Sequence, residues 1–145
     1  MSIADFLQQK KREKAEANLK EALDFLAENG KKPSVQVTSS GLQYEVLSQS
    51  DQQTRPTAAQ SVTVHYEGRL LNGKVFDSSI KRDRPATFPL SAVIAGWTEG
   101  LQLMTVGSIF RFFIPPDLGY GSRPMGSDIP ANSLLIFDVT LLDIR

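Results

Sequence analysis

Few side chains in this 145-residue sequence could act as nucleophiles, redox centres or metal ligands. The chain contains no cysteine, which excludes disulfides, thiolate catalysis and Cys-ligated zinc or iron–sulfur clusters. Its single histidine, His65, excludes sites that need two histidines, such as the HExxH motif of zinc proteases.

Two loop segments have some features of catalytic motifs but lack the decisive ones. Residues 121–126 have the glycine spacing of a phosphate-binding loop, but Ser127 and Asp128 follow where that loop needs Lys and Ser or Thr. Asp77 and Asp83 lie close together in the sequence, yet their basic neighbours indicate a solvated turn rather than a pair of catalytic carboxylates. Neither segment predicts an active site by itself.

The remaining candidate residues are aromatic and lie in five separate segments of the chain. They are Tyr66, Phe76, Trp97, Tyr120 and Phe137, with the apolar Val93 and Ile94 shortly before Trp97. A tryptophan on the inner face of a helix is buried in almost any α+β domain, so Trp97 alone fits a core position as well as a binding site. Only a fold that brings these segments together makes a site of them.

From Gly41 onwards apolar and polar residues alternate, which predicts β-strands. The predicted strands cover residues 42–46, 61–70, 108–114 and 133–144. Asn72-Gly73 stands between two strand-like runs and predicts a tight hairpin. Residues 97–104 have a helical pattern, and the Gly- and Pro-rich residues 117–132 predict a long loop. Together these elements predict an α+β domain, an antiparallel sheet with one short helix against it.

The start of the chain predicts a helical arm. Residues 2–28 contain neither Gly nor Pro, Ser2 and Asp5 fit a capping box, and Asn29-Gly30 predicts the end of the helix. Ile3, Phe6 and Leu7 form an apolar group at the start of the helix. An apolar stripe further along consists of Ala15, Leu19, Ala22, Leu23 and Leu26. Residues 31–40 fit either a linker or a loose edge strand. The predicted division is an arm at 1–30, a linker at 31–40 and a domain at 41–145.

Charge and hydropathy limit the partners and the location that we expect. Lys and Arg number 16 and Asp and Glu number 16, so no net positive charge attracts nucleic acid. The apolar runs are too short for a membrane helix. Residues 2–7 lead into charged residues rather than into the apolar core of a signal peptide. We expect neither a nucleic-acid nor a membrane partner, and a cytoplasmic location.

Five motifs of the chain together resemble a known family. They are VHYEG at 64–68, NGKVFDSS at 72–79, VIAGW at 93–97, LGYG at 118–121 and LLIFDV at 134–139. Their order and spacing resemble the FK506-binding-protein (FKBP) type of peptidyl-prolyl cis–trans isomerase over residues 41–145. The segment SSGLQY at 39–44, which follows a charged helix, is most similar to the bacterial branch whose catalytic domain follows a helical N-terminal arm.

The resemblance implies a fold and a site. The family fold is a strongly twisted antiparallel sheet wrapped around a short helix. Trp97 would form the floor of a proline pocket, and the Ile94 N–H and the Tyr120 hydroxyl would hold substrate carbonyls. The implied catalytic residues are Asp77, Tyr120 and Phe76, and the implied pocket is lined by Tyr66, Phe76, Asp77, Val93, Ile94, Trp97, Tyr120, Ile129 and Phe137. Ala86 stands where the best-known single-domain members have an aromatic residue, which leaves the rim of the pocket more open.

The implied function is cis–trans isomerisation of X–Pro bonds in unfolded or flexible polypeptides, without a cofactor or metal. The resemblance also implies binding of FK506 or rapamycin-like macrolides. A different class of function stays open, a non-enzymatic chaperone or scaffold that holds proline-containing apolar segments in the same pocket. A homodimer through the N-terminal helix is a further expectation, because related bacterial members dimerise through a longer arm; its alternative is that the helix folds back on its own domain.

Two polar residues have competing interpretations. By resemblance, Asp77 lies at the pocket edge, paired with the hydroxyl of Tyr66 and with Arg82, whereas a turn-capping role is the alternative. His65 alternates with Val64 and Tyr66, so its side chain is expected to point away from the pocket.

Overall fold

The computed structural model of this protein describes residues 2–145; Met1, the first residue of the predicted arm, lies outside the described residues. The helices are α1 (Ile3–Asn29) and α2 (Ala95–Leu101), and short 3₁₀ turns cover Leu90–Ala92 and Pro116–Leu118. The strands are β1 (Val35–Val37), β2 (Gln43–Ser48), β3 (Ser61–Arg69), β4 (Val75–Ser78), β5 (Ala86–Pro89), β6 (Ile109–Ile114) and β7 (Leu135–Ile144). Within residues 2–145 they form one 7-stranded sheet in the order β1-β2-β6-β7-β3-β4, with β5 also on β3.

Strand β3 holds the sheet together through its alternating pattern. Val62, Val64 and Tyr66 are buried on one face while the residues between them stay partly exposed, as the sequence predicts. One edge of β3 pairs antiparallel with β7, and the other edge pairs first with β5 and then with β4. The predicted hairpin connects β3 to β4: Gly73 has a φ of 89° and the Asn72 side chain accepts a hydrogen bond from the Lys74 N–H.

Helix α2 packs closely against the inner face of the sheet because two of its residues are glycines. A side chain on Gly96 would meet Ile114, and one on Gly100 would meet Phe112, both at less than 3 Å. The sequence predicts this helix at 97–104, but it starts at Ala95 and ends at Leu101. The N–H groups of Leu103 and Met104 bond to carbonyls three residues earlier, so the last predicted turn is tighter than an α-helix.

Helix α1 forms as predicted, with the capping box between Ser2 and Asp5. Its last third folds back on the sheet and buries Ala22 and Leu26 against residues of β6, β7 and the loop before β7. The ring of Phe25 lies 5.8 Å from that of Phe113. The predicted apolar stripe is partly wrong, since Leu19 and Leu23 are 37% and 53% exposed. The buried face is rotated because it includes Asn18 and Asn29, whose side-chain NH2 groups donate hydrogen bonds to the Ala131 carbonyl and to the Gln43 side chain respectively.

The segment after α1 contributes an edge strand, one of the two expected alternatives: β1 pairs antiparallel with β2. The alternation predicted for β2 fails at Gln43, which is buried, while Val46 is exposed. Gln43 is buried because its amide donates to the Leu26 carbonyl and accepts from Asn29, both at 2.9 Å.

The domain boundaries at 30/31 and 40/41 stay a prediction. Among residues 2–145, no helix has the length and apolarity that a membrane crossing requires.

Candidate functional site

A cavity of about 440 Å³ opens between β3, β4, the start of α2 and the long loop that precedes β7. Every residue of the pocket implied by resemblance lines it, so the fold brings the five aromatic segments together. The full lining is Tyr66, Phe76, Asp77, Phe88, Ala92, Val93, Ile94, Trp97, Tyr120, Met125, Asp128, Ile129 and Phe137. The individual roles of these residues in binding and catalysis stay predictions.

The floor of the cavity is a cluster of aromatic rings in edge-to-face contact. The indole of Trp97 lies 5.3 Å from the rings of both Tyr66 and Phe137, at interplanar angles of 87° and 85°. Phe88 adds a third such contact at 5.6 Å, and Phe76 meets Phe137 at 5.5 Å. Each pair of this kind contributes about 0.5–1.5 kcal/mol beyond its buried area. The cluster therefore gives the cavity a rigid apolar floor.

Gly68 makes room for two of these rings. It pairs with Phe137 across the β3–β7 ladder, and with Asp77 across the β3–β4 ladder. A Cβ atom at Gly68 would lie 2.6 Å from the Phe137 ring and 2.7 Å from the Phe76 ring. The missing side chain therefore sets how closely both rings approach β3.

A polar triad of Tyr66, Asp77 and Arg82 stands at one wall of the cavity, which Tyr66 and Asp77 line. The Tyr66 hydroxyl donates a hydrogen bond to Asp77 Oδ2 at 2.5 Å and accepts one from Arg82 Nη2 at 3.0 Å. Arg82 Nη1 also bonds to Asp77 Oδ1. These contacts are the pairing that resemblance implied, whereas the turn-capping alternative gives Asp77 no reason to reach the Tyr66 hydroxyl. The carboxylate therefore holds two side chains of the wall in place.

The pKa values of the wall residues move away from neutrality. Burial would raise the pKa of Asp77, but hydrogen bonds from Tyr66 and Arg82 and the charge of Arg82 hold it below its ordinary value. Burial, together with the bond to Asp77, raises the pKa of Tyr66. Burial and then the Asp77 charge raise the pKa of Tyr120. Near neutral pH, Asp77 is therefore a carboxylate and both tyrosines carry their protons.

Three donors of the residues that line the cavity have no partner in the described part of the chain. The Ile94 N–H and the Tyr120 hydroxyl make no hydrogen bond within residues 2–145, and Trp97 Nε1 is buried without one. Ile94 precedes the first turn of α2, so its N–H lies outside the bonds of that helix. The Ile94 N–H and the Tyr120 hydroxyl, beside an apolar floor, are suited to bind the carbonyl groups of a peptide.

Some lining residues were not predicted from the sequence. Phe88 lies two residues after Ala86 in β5, and the alternation of that strand could have placed both on the inner side. Met125 and Asp128 lie in the long loop, where no periodicity signals which side chains point inward.

His65 points away from the cavity, as expected, with Nδ1 2.9 Å from Ser79 Oγ. Ala86 is half-buried and pairs with Val64.

Two family models match the chain. Residues 52–142 match the model described as FKBP-type peptidyl-prolyl cis-trans isomerase. Residues 1–46 match the model described as the domain amino terminal to FKBP-type peptidyl-prolyl isomerase.

Bacterial relatives are similar over most of this chain but are longer. The isomerase FkpA of Aeromonas hydrophila is 53% identical over 128 residues, which is 88% of this chain and 47% of the relative. The isomerase Mip of Coxiella burnetii is 48% identical over 128 residues, 88% of this chain and 55% of the relative. The 22 kDa isomerase of Escherichia coli is 46% identical over 134 residues, which is 92% of this chain and 65% of the relative. The chain thus spans about half the length of these relatives, or somewhat more.

Solved structures support the fold class predicted from the sequence. The crystal structure of FkpA from Escherichia coli superposes with a TM-score of 0.87 at 38% identity, over 95% of this chain and 64% of that one. A peptidyl-prolyl cis-trans isomerase from Pseudomonas syringae pv. tomato superposes with a TM-score of 0.83 at 36% identity, over 90% of this chain and 95% of that one. The predicted fold, an antiparallel sheet wrapped around a short helix behind an N-terminal helix, is confirmed.

Proposed function

Because this chain belongs to the FKBP-type peptidyl-prolyl cis–trans isomerase family, we propose that it accelerates rotation about X–Pro bonds in unfolded or flexible polypeptides. The observation that supports this most is the cavity itself, an aromatic floor beside donors that have no partner within residues 2–145. The uncatalysed rotation crosses a barrier of about 18–20 kcal/mol and takes tens to hundreds of seconds, which is slow enough to limit folding.

The cavity suits this reaction because rotation breaks no covalent bond. As the amide twists, resonance is lost and charge returns from the oxygen to the nitrogen, so the twisted imide is less polar than the planar one. An apolar floor formed by Trp97 therefore stabilises the twisted form relative to the hydrated planar form, which lowers the barrier. The Ile94 N–H and the Tyr120 hydroxyl would hold the flanking carbonyls, and Asp77 keeps the wall in its geometry.

We expect Asp77→Asn and Tyr120→Phe each to slow the reaction about two- to tenfold without abolishing it. Asp77→Asn removes the charge from the bonds to Tyr66 and Arg82, and Tyr120→Phe removes the proposed bond to a substrate carbonyl. These bonds orient rather than react, and one such bond contributes about 0.5–1.5 kcal/mol when neutral and more when charged. The measurement is kcat/KM for a proline peptide, with circular dichroism to check folding. Complete loss of activity in either folded variant would indicate acid–base or covalent chemistry instead.

The rate should not depend on pH between about pH 5.5 and 8.5. The pKa of Asp77 is lowered and those of Tyr66 and Tyr120 are raised, so none of the three changes charge in that window. Outside this window, activity should fall on the acid side, as the pH drops through the lowered pKa of Asp77 and its carboxylate gains a proton. It should also fall on the alkaline side, as the pH rises through the raised pKa of Tyr120 and its hydroxyl loses the proton that it would donate. A pH–rate profile checks this, and a bell-shaped curve inside the window contradicts it.

A chaperone without isomerase activity would use the same cavity, and one experiment separates the two functions. The enzyme should raise the exchange rate of a short X–Pro peptide and also the slow phase of refolding of a proline-limited protein. If the purified protein suppresses aggregation of an unfolded protein while peptide exchange stays at its spontaneous rate, the binding module is the correct function.

We also propose that FK506 or a rapamycin-like macrolide binds in this cavity. The apolar aromatic lining favours a bulky apolar ligand, and Phe88 provides a ring near the position where Ala86 leaves the rim open. Because Trp97 forms the floor, a bound macrolide should change its fluorescence and inhibit peptide exchange at the same concentrations. If micromolar macrolide changes neither the Trp97 fluorescence nor the rate of peptide exchange, the proposal is wrong.

A homodimer through the tip of α1 is proposed from the exposure of that tip. Ile3, Phe6 and Leu7 are 80%, 50% and 54% exposed, while the contacts of the helix with the rest of the protein start at Ala15, which bonds to Asn132 in the loop before β7. A helix of 27 residues is about 40 Å long, which carries the tip away from the body. A dimer would present two cavities to one unfolded chain and raise their effective concentration.

Sedimentation of the full chain tests the dimer. At tens of micromolar the unmodified protein should run as a dimer, and the variant Phe6→Ser/Leu7→Ser should run as a monomer with the same circular dichroism. A monomer in both cases contradicts the proposal.

The cytoplasmic location stays a proposal. A relative from Legionella longbeachae, 45% identical over 132 residues, carries the name outer membrane protein MIP. Cell fractionation of the tagged full-length protein, with marker enzymes for each compartment, decides the matter; recovery outside the cytoplasmic fraction overturns the proposal.

A further inference from the structure

A reciprocal pair of amide side chains links helix α1 to the loop that borders the cavity. Asn18 Nδ2 donates a hydrogen bond to the Ala131 carbonyl at 3.0 Å, and Asn132 Nδ2 donates one to the Ala15 carbonyl at 3.0 Å. Both asparagines are half-buried. The residues joined are more than a hundred positions apart in the chain, so these bonds fix how the arm sits against the loop.

Asn132 also joins the two ends of that loop. Its N–H donates to the Gly121 carbonyl at 2.8 Å, directly after Tyr120, and it lies three residues after Ile129. Its φ is 59°, in the left-handed region that asparagine tolerates better than most residues. The same residue therefore contacts the arm through its side chain and sets the base of the loop through its backbone.

Ile129 of the loop's tip is buried in the core, but the polar bonds of the tip are weaker than those at the base of the loop. Met125 and Ile129 form a bridge within the loop itself, which fixes its shape but not its position on the protein. The ion pair of Lys74 and Asp128, at 3.3 Å, connects the tip to the β3–β4 hairpin, but both side chains are more than half exposed. Pairs of that kind contribute little because solvent screens them.

We propose that Asn18 and Asn132 are positioning residues for the cavity: through them, helix α1 sets the position of Tyr120 and Ile129. The inference rests on the proposed isomerase function for its activity readout. Since coupling between two sites is reciprocal, a ligand that orders the loop must also strengthen the contact between the loop and α1. The arm is then part of the substrate site without touching substrate.

The variants that test this leave the cavity lining unchanged. Asn18→Ala removes one side-chain bond, and Asn132→Gly removes the other while keeping the left-handed backbone and its N–H bond to Gly121. Glu16→Ala, at an exposed position of the same helix, is the matched control. The readouts are the methyl resonances of Ile129, amide exchange in α1 with and without a proline peptide, and kcat and KM for that peptide.

We expect both asparagine variants to shift the Ile129 resonances and to lower kcat/KM about three- to tenfold, mainly through KM. In the unmodified protein the peptide should slow amide exchange around Asn18, and it should no longer do so in the variants. Glu16→Ala should match the unmodified protein. Unshifted Ile129 resonances, or kcat/KM within twofold of the unmodified protein, in either folded asparagine variant overturns the proposal.

Failure of the proposed function has a different signature. The unmodified protein would then leave peptide exchange at its spontaneous rate. In that case the affinity for the peptide, measured by Trp97 fluorescence, takes the place of kcat/KM. An affinity within twofold of the unmodified protein, or unshifted Ile129 resonances, in either folded asparagine variant then overturns the proposal.

Discussion

Replacement of Phe76 by alanine should lower kcat/KM for X–Pro rotation at least tenfold while the domain stays folded. The ring lines the cavity and meets Phe137 edge to face at 5.5 Å, so its loss opens the apolar wall to water. A hydrated planar amide then competes with the twisted one, and a loss of about 1.4 kcal/mol of transition-state stabilisation is a tenfold loss in rate. Peptide exchange and circular dichroism on the same sample measure the two effects.

Tyr44→Ala is the matched control for Phe76→Ala. Tyr44 is a half-buried aromatic residue of the same sheet whose ring stacks on Phe110 at 5.5 Å, outside the cavity lining. It should lower the free energy of unfolding and leave kcat/KM unchanged. Full activity in a folded Phe76→Ala variant would mean that the reaction takes place elsewhere.

Gly68→Ala should displace two rings that line the cavity. The new methyl group would lie 2.6 Å from the Phe137 ring and 2.7 Å from the Phe76 ring, so both must move towards the space that a proline would occupy. Overpacking of this kind lowers the free energy of unfolding by about 1–3 kcal/mol. Because two wall rings move at once, we expect kcat/KM to fall about tenfold or more, although Gly68 itself does not line the cavity.

Gly41→Ala separates this effect from backbone strain. Gly41 has a φ of 95° and nothing within 4 Å of the position of its Cβ, so alanine there is strained without meeting a neighbour. The strain costs about 1–2 kcal/mol, a loss of stability similar to that of Gly68→Ala. Activity should be retained in Gly41→Ala and lost in Gly68→Ala; equal activities would show that the ring positions do not matter.

The parts of the fold that follow from local patterns could be predicted from the sequence. Alternation over residues 61–70 places Tyr66 on the inner face, and Asn72-Gly73 determines the hairpin that presents Phe76 and Asp77. The capping box and Asn29-Gly30 determine the ends of α1. The assembly of the cavity was predicted by resemblance of five ordered motifs, since periodicity alone does not say which distant segments meet.

Long-range polar contacts could not be predicted from the sequence. Gln43 and Asn18 belong to residue types that are usually found at the surface. Their burial depends on hydrogen-bond partners that lie far away in the chain or on another element. The face of α1 against the sheet is rotated for the same reason, since an apolar stripe cannot reveal amides that find carbonyl partners. The role of Gly68 was also hidden, because the sequence does not show which rings lie over a glycine.

If this cavity lowers the barrier to X–Pro rotation, a small amount of the protein must speed the exchange of an X–Pro peptide in both directions. Exchange spectroscopy by NMR on a short alanyl-prolyl peptide, with a catalytic amount of the full chain, measures the cis-to-trans and trans-to-cis rates without a coupled protease. Both rates should rise by the same factor, with unchanged isomer populations, and Phe76→Ala should remove at least nine tenths of this increase. Spontaneous rates in both directions, or a shift in the populations without faster exchange, would contradict it.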